Sequence, residues 1–126
     1  MKLVFTLLPK RMAIVWLERD APMPVWASRG AFTSVTRTPS ELSIVCEDDA
    51  VPRDVAAARG WRGLMLQGPF PLTQTGIASD FTAVLAGANV SVFVISTYET
   101  DFVLVPEKSL EVAIAALARA GHSVSR

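Results

Sequence analysis

The stretch Val94-Ile95-Ser96-Thr97-Tyr98-Glu99-Thr100-Asp101-Phe102-Val103-Leu104-Val105 decides the reading of this chain, because a second copy stands sixty residues earlier. That copy is Ser34-Val35-Thr36-Arg37-Thr38-Pro39-Ser40-Glu41-Leu42-Ser43-Ile44-Val45. Aligned without gaps, Val35 matches Ile95, Thr36 matches Ser96, Ser40 matches Thr100 and Glu41 matches Asp101. Leu42, Ile44 and Val45 match Phe102, Leu104 and Val105. Each copy reads as strand, polar turn, acidic residue, strand. A supersecondary unit built twice in 126 residues predicts two small subdomains, 1–60 and 61–126.

Working outward from the second copy, Trp61 to Gln67 is a predicted strand ended by Gly68-Pro69-Phe70-Pro71. A helix follows over about 75–86, with Ile77, Phe81, Val84, Leu85 and Ala88 on one face, Thr73 or Thr75 as cap and Gly87 to Asn89 as stop. Val90 to Thr97 and Asp101 to Val105 form the hairpin. A second helix over 107–120 carries Leu110, Ala113, Ile114 and Leu117 on one face, with Glu107 and Glu111 at its start and Arg119 at its end, a placement that suits the helix dipole. Gly121 stops it, and 122–124 is a short strand. This order, βαββαβ, is that of a ferredoxin-like unit with two helices on one face of an antiparallel sheet.

The first half offers the same strands with shorter helices. Leu3 to Leu8 and Met12 to Leu17 read as two strands parted by Pro9-Lys10-Arg11. Val25 to Ser28 is a short helical turn, Ala31 to Arg37 and Glu41 to Glu47 are strands, and 48–52 is a loop. Pro52 to Arg59 reads as a short helix that Gly60 stops. The fold class is therefore α+β, two ferredoxin-like subdomains, the first a worn copy.

Composition narrows the function. Twelve basic and twelve acidic side chains sum to zero, and no basic run offers a surface to nucleic acid. No apolar run approaches the roughly 20 residues of a membrane-spanning helix. The N-terminus has no basic flank or small-residue cleavage site, so Leu3 to Leu8 reads as a strand and not as the core of a signal peptide. Cys46 is the one cysteine, which excludes an intrachain disulfide and suits a reducing cytoplasm; on an alternating strand it reads as a core thiol. No histidine–cysteine cluster has metal-ligand spacing, and Gly60-Trp61-Arg62-Gly63 is not a phosphate loop. The one histidine, His122, has no local partner that would make a catalytic pair with Cys46. No catalytic residue, metal or cofactor is expected.

Ser96 to Val105, following Val90-Ser91-Val92-Phe93-Val94-Ile95, resembles the signature of a small ACT-domain family similar to the ACT domains of the cytosolic arginine sensors of animal cells. Ser34 to Thr38 leading into Glu41 to Val45 resembles its first-subdomain signature. Trp61-Arg62 to Gly68-Pro69 and Thr75-Gly76-Ile77 fit the segment between, so the likeness covers roughly 25–122. The lead Leu72-Thr73-Gln74 departs from the more hydrophobic or acidic one the family leads one to expect, which bears on the ligand more than on the fold. The resemblance implies a tandem ACT fold, regulation without catalysis, and a small ligand, usually an amino acid, at a subdomain or subunit interface. It also implies edge-strand pairing, hence a homodimer, and a regulated protein partner.

An amino acid presents a carboxylate and an ammonium. Backbone N–H groups at a helix start supply donors for the first, and Thr75-Gly76-Ile77 stands at such a start, though a plain helix cap reads the same way. Asp101, beside Thr97, Tyr98 and Thr100, offers the acceptor, though a turn aspartate capping its own hairpin has the same sequence. The resemblance adds Ser34 and Val35, and Thr36 with them, as contacts across an interface; an ordinary half-buried strand is the alternative. The expectation is one main site beside the second hairpin. Two other functions fit the same residues: a structural interaction module without a metabolite, and a small enzyme of ferredoxin-like fold.

Overall fold

The computed structural model describes residues 1–125. Its strands are β1 (Val4–Leu17), β2 (Thr33–Arg37), β3 (Leu42–Glu47), β4 (Ala58–Leu66), β5 (Phe93–Ser96), β6 (Asp101–Pro106) and β7 (Ser123–Ser125), and its α-helices are α1 (Ile77–Gly87) and α2 (Leu110–Arg119). The contacts group these into two units, one of Met1–Pro9 with the chain from Arg62 onward, the other Lys10–Trp61. The expected division at residue 60 thus misassigns the first nine residues. Leu3 and Phe5 are buried among Leu64, Leu66, Phe81 and Leu117, far from them in sequence, and β7 pairs in parallel with β1 from Val4 to Thr6.

The first unit runs β4-α1-β5-β6-α2-β7, the expected βαββαβ order. Its strands lie in the order β7-β1-β4-β6-β5. A ferredoxin-like sheet has the spatial order 4-1-3-2, and here the start of β1 is inserted between the fourth and first strands. Both helices bury the predicted faces: Ile77, Phe81 and Leu85 from α1, Leu110, Ala113 and Leu117 from α2, with Val84, Ala88 and Ile114 packed at the margin. Phe5 meets Phe81 edge to face at 5.4 Å between ring centroids. Each of the leucine, isoleucine and phenylalanine side chains among them, once fully buried, contributes about 1.5–3 kcal/mol. Asn89, at φ 61°, and Gly121, at φ 96°, end the two helices in the left-handed conformation.

The second unit has the strand order β4-β1-β3-β2, again 4-1-3-2, with a core of Ala13, Val15, Ala27, Leu42, Ile44, Cys46 and Val51. The two expected strands at its entry are one: β1 continues through Pro9-Lys10-Arg11, because an extended backbone accepts proline's φ and these residues are exposed. Its helices are reduced to 3₁₀ turns, Val25–Ser28 as expected and Asp48–Ala50 in place of the expected loop. The helix expected over Pro52 to Arg59 is absent. Ala58 begins β4 instead, and the guanidinium of Arg59 beside it donates to the carbonyls of Asp48, Val51 and Pro52 at 2.9–3.3 Å while pairing with the Asp48 carboxylate at 2.9 Å. Two of these carbonyls also accept main-chain donors in single turns, Asp48 O from Val51 N–H and Pro52 O from Val55 N–H. Gly60 lies inside β4 at φ 76°, its N–H turned to Asp48 Oδ2.

The hairpins correct the repeat itself. Arg37 faces Leu42 across β2 and β3, as Ser96 faces Asp101 across β5 and β6. Each turn is closed by the same bond, Thr38 N–H to Glu41 O and Thr97 N–H to Thr100 O. The structural counterpart of Asp101 is therefore Leu42, not Glu41, which corresponds to Thr100. The sequence alignment is one residue out of register, and in a strand one residue exchanges the two faces.

Candidate functional site

Strand period two puts Asp101 on the face of Val103 and Val105, the face that packs into the helix-covered core. That brings its carboxylate toward the start of α1. Between them lies a cavity of about 310 Å³, walled on one side by residues from Phe70 to Leu72, Gln74 and Gly76 to Ser79 and on the other by Ser96 to Asp101.

The helix wall is made of backbone. Gly76 precedes α1 at φ 87°, a left-handed conformation that a side chain strains. It has no capping side chain, so the expected cap by Thr73 or Thr75 is not formed. The first helical bond is Asp80 N–H to Gly76 O. The N–H groups of Ile77, Ala78 and Ser79 come before it in the ladder and have no helical carbonyl to take. With the dipole they favour an anion at this end.

The hairpin wall is held from three sides. The Thr97 hydroxyl donates to Thr100 O at 3.1 Å. The Thr100 hydroxyl donates to Leu66 O at the end of β4, at 2.7 Å. Phe70 N–H donates to Glu99 O at 2.9 Å and fixes the Gly68-Pro69 loop, a cis peptide, against the turn. Ser96 Oγ donates to Asp101 Oδ1, which leaves Oδ2 of that carboxylate for another donor. Tyr98 is four-fifths exposed at the cavity's margin. The lining residues carry two carboxylates, Glu99 and Asp101, and no lysine or arginine.

Of the candidates read from sequence, Gly76, Ile77, Thr97, Tyr98, Thr100 and Asp101 surround this one cavity. Thr75 is exposed and is not among the lining residues; Ser34 and Val35 lie on β2, in the other unit, and are not among them either. The sequence reading missed Glu99 and Ser96 on the hairpin and Phe70, Pro71, Leu72, Gln74, Ala78 and Ser79 opposite. Glu99 and Ser96 could have been found from the hairpin, the others only from the fold.

The other singled-out groups are structural. Cys46 is buried in the second unit's core, where desolvation first, and then Glu47, pushes its thiol up to about 11. His122 is buried in the first unit and accepts the Leu3 N–H on Nδ1 at 3.0 Å. Burial, then the terminal ammonium, hold its pKa below the ordinary value against an opposing pull from Asp80. Among the described residues there is no cluster of three metal-ligating side chains and no helix long and apolar enough to cross a membrane.

These features define an α+β fold of two ferredoxin-like units with a cavity beside one hairpin turn, and comparison with known proteins gives the family. The ACT-domain model matches residues 56–119, and a second model, described as an N-terminal domain, matches 11–54. The chain belongs to the ACT-domain family. It is 36% identical over 104 residues to the cytosolic arginine sensor for mTORC1 subunit 1 of Bos taurus, a match that takes in 73% of this chain and 31% of that protein. The chain thus spans about a third of that relative's length. A crystal structure of an Agobacterium tumefaciens protein is 38% identical, with TM-score 0.93 over 99% of this chain and 93% of that one. The ligand-free regulatory subunit of aspartate kinase from Thermus thermophilus shares the fold at 13% identity, with TM-score 0.59 over 88% of this chain and 93% of that one.

Proposed function

We propose that this protein is a non-catalytic ACT regulator that binds one amino acid per chain, in the cavity between the start of α1 and the β5–β6 turn. The observation that carries the reading is the opposition of two chemistries across a space of about 310 Å³, uncapped backbone N–H groups on one wall and the Asp101 and Glu99 carboxylates on the other. The first suits an α-carboxylate, the second an ammonium or a cationic side chain. The volume is at the small end of the roughly 300–1,000 Å³ typical of ligand sites. Two carboxylates without a balancing cation favour a basic amino acid. Arginine is the first candidate, in keeping with the name of the curated relatives.

The second unit lacks the site. Leu42 stands where Asp101 would be, and a 3₁₀ turn of four residues where α1 would be. Ligand then acts by linkage: it stabilises one arrangement of units or subunits, and a protein partner reads it. We take the working form to be a cytoplasmic homodimer joined through sheet edges, since β2 and β5 are end strands, each paired on one side only in one chain.

Thermal shift against the twenty amino acids tests this. A basic amino acid should raise the Tm of the wild type and leave Asp101→Ala unmoved. If no amino acid shifts the wild type at millimolar concentration, the reading falls and a purely structural interaction module takes its place.

A further inference from the structure

In the first unit the rung of the hairpin beside the turn carries Ser96, whose short side chain goes to Asp101 and leaves the cavity open. In the second unit the same rung carries Arg37, facing Leu42. Its guanidinium crosses from the hairpin to the loop that follows β1, donating to the carbonyls of Arg19 and Ala21, the latter at 3.0 Å. Arg19 answers from that loop, its own guanidinium donating to Pro39 O in the hairpin turn at 3.3 Å. The loop after β1 is the counterpart of the loop after β4, which lines the cavity in the first unit.

The geometry points to Arg37 as a built-in ligand of the second unit: its guanidinium takes, as part of the chain, the place between hairpin and loop that the first unit leaves open. This rests on the proposed ligand site of the first unit. Carbonyl oxygens offered in pairs suit a planar guanidinium, whose donors diverge in one plane, better than an ammonium. A tethered group also meets its acceptors at a high effective concentration, so no free ligand competes with it. The second unit thus joins hairpin and loop through a side chain, where the first unit joins them through Phe70 N–H to Glu99 O and leaves the space beside that bond open.

Residue-resolved amide spectra of the full chain test it. In Arg37→Ala, titration with methylguanidinium should give saturable shifts at the amides of Asp20, Ala21, Thr38, Ser40 and Glu41. Methylammonium should give none, and the wild type should show none with either probe. Shifts of the same size in the wild type, or none in Arg37→Ala, overturn the assignment. If Arg37→Ala does not fold, Arg37→Gln, which keeps the aliphatic stem but not the fork, carries the same titration. Titration of the wild type with arginine is read at other amides, those of Ile77 to Ser79 and Thr97 to Asp101. Failure of the proposed ligand site and failure of this inference are therefore seen separately.

Discussion

The Thr100 hydroxyl donates to the main-chain carbonyl of Leu66 at 2.7 Å, and this bond ties the β5–β6 turn to the end of β4. It is the link through which the cavity wall is fastened to the sheet. Thr100→Val removes the donor, keeps the shape and leaves a part-buried carbonyl without that partner. A loss of about 1–2 kcal/mol is expected, together with weaker ligand binding. Thr100→Ser should retain most of both. Urea denaturation and titration of the two variants compare them directly.

Gly76 sets the direction in which α1 begins. A Cβ there would meet nothing closer than 3.9 Å, so Gly76→Ala is not a steric clash but a backbone cost at φ 87°. About 1–2 kcal/mol should be lost, and Gly76→Asn, which tolerates the left-handed region better, should lose less. Equal losses in the two variants would show that space, not backbone conformation, governs the position.

Stability should fall on acidification through His122. Its folded pKa lies below the ordinary value, because burial and the terminal ammonium disfavour the charged ring. The neutral ring's contribution is complete above the unfolded pKa. It is lost as pH falls from there through the folded value, because the unfolded chain takes up the proton first. Protonation also removes the acceptor that Nδ1 offers to Leu3 N–H. Denaturant midpoints between pH 8 and pH 5 should decline in the wild type and decline less in His122→Asn.

Cys46 should be inert in the folded protein. With its thiol pushed up to about 11 and no exposed surface, almost no thiolate exists at neutral pH. Reaction with a chromogenic disulfide reagent should be slow in buffer and immediate in denaturant. Rapid labelling of the native chain would mean that the second unit's core opens readily.

Much of this was legible along the chain. Apolar residues at helical spacing marked the buried faces of α1 and α2, because periodicity is a local property that packing merely uses. The two polar turns marked both hairpins. The candidate site was half legible: Gly76 and Asp101 were visible as a helix start and a turn carboxylate, but Ser96 and Phe70 were not, since nothing local says which loop a turn will meet.

What the sequence determined by itself was the βαββαβ order and the repetition of the hairpin. The tertiary structure alone decided three things. It ran β1 unbroken past Pro9 and inserted its start beside β4, because strand neighbours are chosen by partners far away in the chain. It put turns where a helix was expected and tied their carbonyls to Arg59, because a guanidinium's acceptors leave no periodic trace. And it set the repeat one residue from where side-chain type had placed it, making Leu42 and not Glu41 the counterpart of Asp101. Hydrogen-bond register fixes which face a residue takes, and likeness of side chains does not.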